Sequence, residues 1–232
     1  MKSCLLLLTL LASFAQADET FTVSIDTSSL MGNAAGPFSL DFQFTDGSGA
    51  DDGNNTAALY NFMFGMGSLT GSPTTVGTVS GNIATGFSLT DSSFLNELTQ
   101  SFTPGNALTF QISLTTNVDA GGVPDEFTFA ILDSSGAAIP TLGPFDTLLI
   151  ADIDSSQPTP YTYGSDTTRG TLATGNPLQL PAPVITAAPE PSTLWFMASI
   201  LALFVGSRGL GTRRLKQGSL WRASIKSILI RR

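Results

Sequence analysis

One oxygen-rich loop holds the residues best suited to bind a ligand. It runs from Asp46 to Asn55 and reads Asp-Gly-Ser-Gly-Ala-Asp-Asp-Gly-Asn-Asn. Carboxylate and amide oxygens of this kind are the ligands that calcium prefers. The loop therefore predicts a calcium site on Asp46, Asp51 and Asp52, although its spacing matches neither the EF-hand loop nor the nonapeptide calcium repeat. A hydrophilic loop without a bound ion is the alternative.

Few of the residues that catalysis uses are present in the chain. It has no histidine and one cysteine, Cys4, which excludes imidazole catalysis, Ser-His-Asp triads and clusters of His or Cys around a metal. A glycosidase needs only two carboxylates, so the composition leaves that reaction open. Most Asp and Glu residues, however, stand in strings with Gly and Ser, where we expect solvated turn residues. We therefore predict a non-enzymatic protein without a cofactor, with calcium as the one open alternative.

The charges of the 232 residues are separated along the chain. From Asp18 to Glu190 all 18 acidic residues stand against a single base, Arg169, whereas Arg208 to Arg232 carries eight bases and no acid. Such asymmetry indicates that the parts lie in different environments. The acidic middle part has no cluster of Lys and Arg for phosphate contacts, so we expect no nucleic-acid partner.

The first 17 residues have the order of a secretory signal peptide. Lys2 supplies the positive start, Leu5 to Phe14 forms the apolar stretch, and Ala15-Gln16-Ala17 is a small-x-small cleavage site. We expect a signal helix that signal peptidase removes after Ala17, and Cys4 is lost with it. A buried core helix is the alternative.

A second apolar run lies near the C-terminus. The stretch from Pro191 to Ser207 carries no charge, and Arg208, Arg213 and Arg214 follow it. The pattern predicts a transmembrane helix over 192–212 whose basic end lies in the cytoplasm. With the export signal, this predicts a single-pass membrane intermediate whose N-terminus is outside.

Pro189-Glu190-Pro191, the apolar run and the arginine cluster together resemble the PEP-CTERM protein-sorting domain, a segment also described as an ice-binding protein C-terminal domain. The resemblance covers 189–216 and implies a bacterial protein that exosortase recognises near Pro189-Glu190-Pro191 and releases or anchors at the cell surface. An ordinary single-span anchor behind a proline-rich linker is the alternative. Unlike such domains, this chain continues through a basic cytoplasmic tail, 217–232, which is either an amphipathic helix on the inner leaflet or an extension without a role.

The part between these ends alternates apolar and polar residues with the period of a β-strand. Clear strands are predicted at Phe21–Ile25, Phe38–Phe44, Leu108–Leu114 and Phe127–Ile131, and weaker ones at Ala58–Phe64, Thr74–Ser80, Ile83–Leu89 and Thr147–Ala151. Ser92–Gln100 is predicted to form a short helix, because Phe94, Leu95 and Leu98 share a helical face. The number and spacing of the strands favour an all-β fold, an antiparallel β-sandwich of jelly-roll type.

We expect the exported domain to span 18–154, with 155–188 as a proline-rich spacer, or to reach residue 186 if Tyr161–Tyr163 and Val184–Thr186 add edge strands. Its opening strands and the 125–136 hairpin are similar to bacterial PEP-CTERM proteins whose exported domain has no assigned activity. This implies a surface role without a reaction. The sequence thus predicts a non-enzymatic cell-surface or extracellular-matrix protein. The alternative is a module that binds calcium, or binds polysaccharide through Tyr60, Tyr161 and Tyr163.

Overall fold

A computed structural model describes residues 18–48, 51–118, 122–155, 157–169 and 178–187. Within these ranges the chain forms thirteen strands and two short 3₁₀ turns, Ser28–Leu30 and Pro144–Asp146. The prediction of an all-β fold is therefore confirmed. The predicted signal peptide 1–17, sorting segment 189–216, transmembrane helix 192–212 and tail 217–232 all lie outside the described residues. In the described part, no helix has the length and apolar character to cross a membrane.

The strands follow one another along the chain, and most are short. They are β1 (Glu19–Asp26), β2 (Phe38–Thr45), β3 (Thr56–Met63), β4 (Ser68–Leu69), β5 (Thr74–Val76), β6 (Val79–Asn82), β7 (Gly86–Thr90), β8 (Leu95–Thr103), β9 (Ala107–Leu114), β10 (Glu126–Leu132), β11 (Leu149–Asp152), β12 (Tyr161–Thr162) and β13 (Val184–Ala187). All four of the strands with the clearest alternation are present.

The described strands form two antiparallel sheets. The six-stranded sheet has the order β13-β1-β9-β3-β7-β6, and the seven-stranded sheet has the order β12-β11-β10-β2-β8-β4, with β5 also paired to β8. The two outer strands β12 and β13 come from the segment predicted as a spacer or as edge strands. The compact unit accordingly runs to Ala188, well past residue 154.

Phenylalanine side chains fill the space between the sheets. Phe42 of the seven-stranded sheet stacks on Phe129 with ring centroids 4.8 Å apart and meets the edges of Phe87 and Phe110 of the six-stranded sheet at 5.4 and 5.5 Å. Such aromatic contacts add to the hydrophobic effect of burial. The alternation in the sequence exists because one face of each sheet packs on this core and the other faces solvent.

The predicted helix at Ser92–Gln100 is wrong, because the structure has strand β8 there instead. The side chains that face the core are Asn96, Leu98, Gln100 and Phe102. Two of these are polar, so the apolar residues alone do not show period two. Their amides are satisfied by the main chain: Asn96 Nδ2 donates to the Phe44 carbonyl at 3.2 Å and Gln100 Nε2 donates to the Thr70 carbonyl at 2.6 Å.

The predicted strand Thr74–Ser80 is divided in the structure. Gly77 interrupts it with a φ of +67°, a conformation that favours glycine, and the backbone of Leu95 leaves no room there for a Cβ. As a result, β5 pairs with β8 of one sheet and β6 pairs with β7 of the other. One segment therefore contributes a strand to each sheet.

Candidate functional site

The three residues of the predicted calcium loop occupy different environments. Asp46 is buried, with 3% of its surface exposed, whereas Asp51 and Asp52 are exposed. The Asp51 main-chain N–H donates to Asp46 Oδ2 at 2.7 Å, and Asp52 Oδ1 accepts from the Asn54 N–H at 3.1 Å. Among the described residues, no three Asp, Glu, His or Cys side chains form a group that could hold a metal ion. A calcium ion on these three residues stays a prediction.

Asp46 belongs instead to a buried polar cluster at one end of the two sheets. We call this cluster the acidic layer and define it as Asp46, Asn55, Asp91 and Asp125, all at most 3% exposed. Each residue lies just beyond the end of a strand: β2, β3, β7 and β10, respectively. The cluster therefore joins two strands of each sheet.

Alternation along the strands explains why these polar side chains are buried. Each of them stands two residues from a core residue of its own strand: Phe44 for Asp46, Ala57 for Asn55, Leu89 for Asp91 and Phe127 for Asp125. Because side chains two apart along a strand point to the same face, all four continue the inward rows of the core. The acidic layer thus closes one end of the apolar interior with carboxylate and amide groups.

Asn55 is the centre of the hydrogen bonds in the acidic layer. Its Nδ2 donates to Asp125 Oδ2 at 2.6 Å, and its main-chain N–H donates to Asp91 Oδ2 at 2.9 Å. The Gly47 N–H donates to Asp125 Oδ1 at 2.9 Å. Since Gly47 directly follows Asp46, this last bond holds the chain at Asp46 beside Asp125.

Two carboxylate oxygens of the acidic layer have no hydrogen-bond partner. These atoms are Oδ1 of Asp46 and Oδ1 of Asp91, and both are buried. The pKa of Asp91 is raised to about 7, chiefly by burial and in addition by the nearby carboxylates of Asp125 and Asp52, while the hydrogen bond from the Asn55 N–H offsets part of the rise. Carboxylates are therefore brought together here without a neutralising side chain.

The expectation that the acidic residues are solvated turn formers is wrong for four of them. Asp41, Asp46, Asp91 and Asp125 are buried. In the sequence Asp46 and Asp91 look like turn residues because Gly47 and Ser92 follow them, whereas Asp41 stands on the polar side of the predicted strand Phe38–Phe44. The signal that could have found three of them is the two-residue spacing from a core residue, as in Phe44-Thr-Asp46, Leu89-Thr-Asp91 and Asp125-Glu-Phe127.

A groove crosses the outer face of the seven-stranded sheet and encloses about 500 Å³. We call it the sheet groove. Its floor comes from neighbouring strands and mixes polar side chains, Asp41 and Gln43 on β2 and Glu126 and Thr128 on β10, with the apolar Ala130 and Leu132 of β10. The register pairs Thr128 with Gln43 and Gln43 with Glu97 of β8, so these side chains lie side by side across the sheet.

Two carboxyl groups touch on this face of the sheet. Asp41 lies within hydrogen-bonding reach of Glu97, and burial, together with the neighbouring Glu97 carboxyl, raises the pKa of Asp41 to about 7. Gln43 Nε2 donates to Asp41 Oδ2 at 2.9 Å and stabilises the charged form. Burial also raises the pKa of Glu126, and the carboxylate of Asp152 adds to this. The floor is therefore rich in acceptors and carries acids that hold protons more tightly than usual.

Two exposed phenylalanines line the same groove. Phe94 is 69% exposed and Phe145 is 89% exposed. Phe145 and Asp146 have φ values of +51° and +59°, a left-handed conformation that is costly for residues with a side chain. These two strained residues lie where the Phe145 ring is presented to solvent.

Hydrogen bonds within the loop hold Phe145 in this conformation. The Thr141 N–H donates to Asp146 Oδ1 at 3.1 Å, and the buried Thr141 hydroxyl donates to the Thr147 carbonyl at 2.7 Å. Arg169 bridges the Asp146 carboxylate and the Thr141 carbonyl, and its Nε donates to Asp166 Oδ2 at 2.9 Å. The loop therefore keeps an apolar ring exposed at the expense of backbone strain.

No protein-family model matches the chain, and no curated protein and no solved structure matches it either.

The structure does not bring the three predicted sugar-binding tyrosines together. Tyr60 lies on β3 of the six-stranded sheet, whereas Tyr161 lies on β12 of the seven-stranded sheet and Tyr163 follows it. The prediction of one face built by all three is therefore wrong, since the two sheets separate them. The predicted processing and sorting residues lie outside the described residues; they are Ala15, Ala17, Pro189, Glu190, Pro191, Arg208, Arg213 and Arg214.

Proposed function

We propose that this chain is an exported, non-enzymatic surface protein whose β-domain, a sandwich of jelly-roll type, binds a neutral polysaccharide in the sheet groove. One observation carries the proposal: two exposed phenylalanine rings, Phe94 and Phe145, line a groove whose floor also carries carboxyl and amide side chains. Exposed apolar side chains beside convergent polar groups are typical of ligand sites. The strained backbone at Phe145 supports a role for that ring beyond packing.

The chemistry of the groove suits sugars better than other ligands. A sugar ring has apolar C–H faces that pack on aromatic rings and hydroxyl groups that need hydrogen-bond partners. Phe94 and Phe145 supply the rings, and Asp41, Gln43 and Glu126 supply acceptors and a donor. The carboxylates repel anionic chains, so a neutral polysaccharide is the preferred class.

Export and sorting form the second part of the proposal. Lys2 to Ala17 directs secretion, and signal peptidase cuts after Ala17. Exosortase then acts near Pro189-Glu190-Pro191, while the apolar run and Arg208, Arg213 and Arg214 hold the intermediate in the membrane. The product is a cell-surface or extracellular-matrix protein. The support is the order of these segments in the sequence.

The contact between Asp41, which lines the groove, and Glu97 beside it favours binding over hydrolysis. Glycosidases hold their two carboxyl groups about 5 Å apart or more, to leave room for a sugar carbon or a water. Asp41 and Glu97 are instead in direct hydrogen-bonding contact. We therefore propose that this pair positions the groove floor and does not cleave the chain.

The binding proposal is tested by pull-down of the full-length chain with insoluble neutral polysaccharides, namely cellulose, chitin and starch granules. We expect one of them to retain the protein and F94A and F145A to weaken retention by roughly three- to tenfold each, the scale of one aromatic contact. M66A is the matched control, because Met66 is 79% exposed but does not line the groove.

Failure of all three polysaccharides, or equal retention of F145A and M66A, would contradict the proposed groove. Release of soluble sugar from the retained polysaccharide by the wild-type chain, lost in E97Q, would instead identify a hydrolase.

A further inference from the structure

We infer that the acidic layer binds one calcium ion, with Asp91 and Asp125 as its first two carboxylate ligands and Asp46 as the third. This site differs from the loop site predicted on Asp46, Asp51 and Asp52, because two of its ligands come from distant parts of the chain. It is also separate from the sheet groove, so it goes beyond the proposed polysaccharide binding.

The geometry of the strands directs the three carboxylates toward the space between the sheets. Asp46 and Asp125 continue the inward rows of β2 and β10 in one sheet, and Asp91 continues the inward row of β7 in the other. The Asp91 and Asp125 carboxyl groups are already within hydrogen-bonding reach of each other. Two like charges in contact need a cation or a proton between them.

The unpartnered oxygens are an independent sign of a missing ligand. Asp46 Oδ1 and Asp91 Oδ1 are buried without a donor, while the other oxygen of each residue accepts a main-chain N–H. Buried acceptors are nearly always satisfied in folded proteins. A bound cation gives these oxygens the partner that they lack.

Within the described part of the chain, no basic side chain neutralises the layer. Between Asp18 and Glu190 the sequence contains one base, Arg169, and that base is bonded to Asp146 and Asp166. A buried charge without a partner is strongly disfavoured. The compensating charge must therefore come from solution.

Calcium fits this donor set better than other metals. It prefers oxygen ligands, accepts six to eight of them in flexible geometry and uses main-chain and amide oxygens beside carboxylates. Zinc and copper prefer the nitrogen and sulfur ligands that are lacking here. In the described part of the chain, no three acidic side chains stand close enough together to hold a metal ion as they are positioned. The inference is therefore that the ion draws Asp46 toward the Asp91–Asp125 pair.

The test is calorimetric titration of the full-length, chelator-treated chain with calcium chloride, together with thermal unfolding. We expect one ion per chain with millimolar or tighter affinity and, at 10 mM calcium, an unfolding midpoint raised by roughly 3 to 8 °C. D91N and D125N should abolish both effects, and D46N should weaken binding at least about tenfold. Magnesium at the same concentration should raise the midpoint less.

Two controls keep this test decisive. D26N removes an exposed carboxylate at the opposite end of β1, where Asp26 pairs with Ala107, and should bind calcium like the wild type. D51N separates the two candidate sites, because the acidic layer does not need the Asp51 side chain. We expect D91N to fold, because its side chain keeps an oxygen that can accept from the Asn55 N–H. Circular dichroism in chelator checks that each variant is folded. The inference would be overturned if calcium gave neither a heat of binding nor a shift of the unfolding midpoint in the wild type. Unchanged calcium binding by a folded D91N variant would also overturn it.

Discussion

The Asn55 side-chain amide donates a 2.6 Å hydrogen bond to the Asp125 carboxylate, and this bond ties the start of β3 in one sheet to the start of β10 in the other. The same side chain donates to the Asn117 carbonyl at 2.7 Å and accepts from the Asn117 N–H at 2.9 Å. Asn55 thus also anchors the segment that follows β9. Few residues of the described part link so many chain segments.

Asn55→Ala is therefore expected to destabilise the domain by about 2–4 kcal/mol, because it leaves a buried Asp125 carboxylate oxygen without its donor and removes several further bonds. The measurement is urea unfolding followed by circular dichroism. Q157A, at an exposed position, is the control and should change the free energy of unfolding by less than about 0.5 kcal/mol. A loss in N55A no larger than that of Q157A would show that the network adds nothing to stability.

Asp41 makes stability depend on pH. Its pKa is raised to about 7 in the folded state, chiefly by burial, so between about pH 4 and pH 7 the folded chain holds a proton that the unfolded chain releases. The free energy of unfolding should therefore fall as pH rises through this window. Between pH 5 and pH 8 we expect the unfolding constant to rise at least about tenfold, which urea titrations at the two pH values would measure.

D41N is the control for this pH effect, because it cannot ionise. Glu97 and Glu126 face the same side of the sheet, and burial raises the pKa of Glu126 as well, so part of the dependence should remain in D41N. If D41N and the wild type lose the same stability between pH 5 and pH 8, Asp41 does not hold the proton.

Arg169 is expected to control the order of the loop that carries Phe145. Its contacts with Asp146 and Asp166 are exposed, so R169A should cost less than about 1 kcal/mol of global stability. Loss of the bridge should nevertheless release the strained backbone at Phe145. Hydrogen exchange of the amides of Thr141 and Gly143 should become at least several-fold faster, while exchange in β2 stays unchanged. R169K keeps the positive charge but loses the planar guanidinium, so the exchange rates of these amides should lie between those of the wild type and R169A. Equal exchange rates in R169A and the wild type would show that the loop keeps its conformation without Arg169.

Processing of the ends is open to direct measurement. Mass spectrometry of surface protein from a bacterium with an exosortase should find an N-terminus at Asp18 and no residues beyond about Pro191. A17R should retain the signal peptide, because cleavage needs a small residue at that position, and E190A should retain the C-terminal segment. Arg232 still attached to mature surface protein would contradict the sorting proposal.

The sequence predicts the strands of this protein better than its buried polar residues. Where an inward row is wholly apolar, as in Phe38 to Phe44, alternation shows the strand and its buried face together. Where the row contains Asn96 and Gln100, the same alternation is hidden, and the local apolar residues suggest a helix. Only the pairing of β8 with β2 on one side and with β4 on the other shows which carbonyls satisfy those amides, and pairing between distant segments cannot be read from local spacing.

The sequence likewise predicts single residues of the candidate sites better than the complete sites. Asp46 stands out in the sequence because its loop is rich in oxygen ligands, but its neighbours Asp91 and Asp125 lie 45 and 79 residues further along the chain. The sheet groove is equally hidden, since Phe94 and Phe145 come together only through the order of strands in the seven-stranded sheet. Composition could exclude imidazole chemistry and cysteine clusters around a metal, but it could not show which distant residues form a site.

The pairing of β13 with β1 determines how the domain is attached. Phe21 stands opposite Ala187 in antiparallel register, so the chain enters and leaves the fold on neighbouring strands at one end of the six-stranded sheet. The two proposed cleavage points, after Ala17 and near Pro189, each lie only a few residues from that end. The sheet groove lies on the other sheet. A tether attached at either end of the described part therefore starts from β1 or β13, on the sheet that does not carry the proposed binding groove.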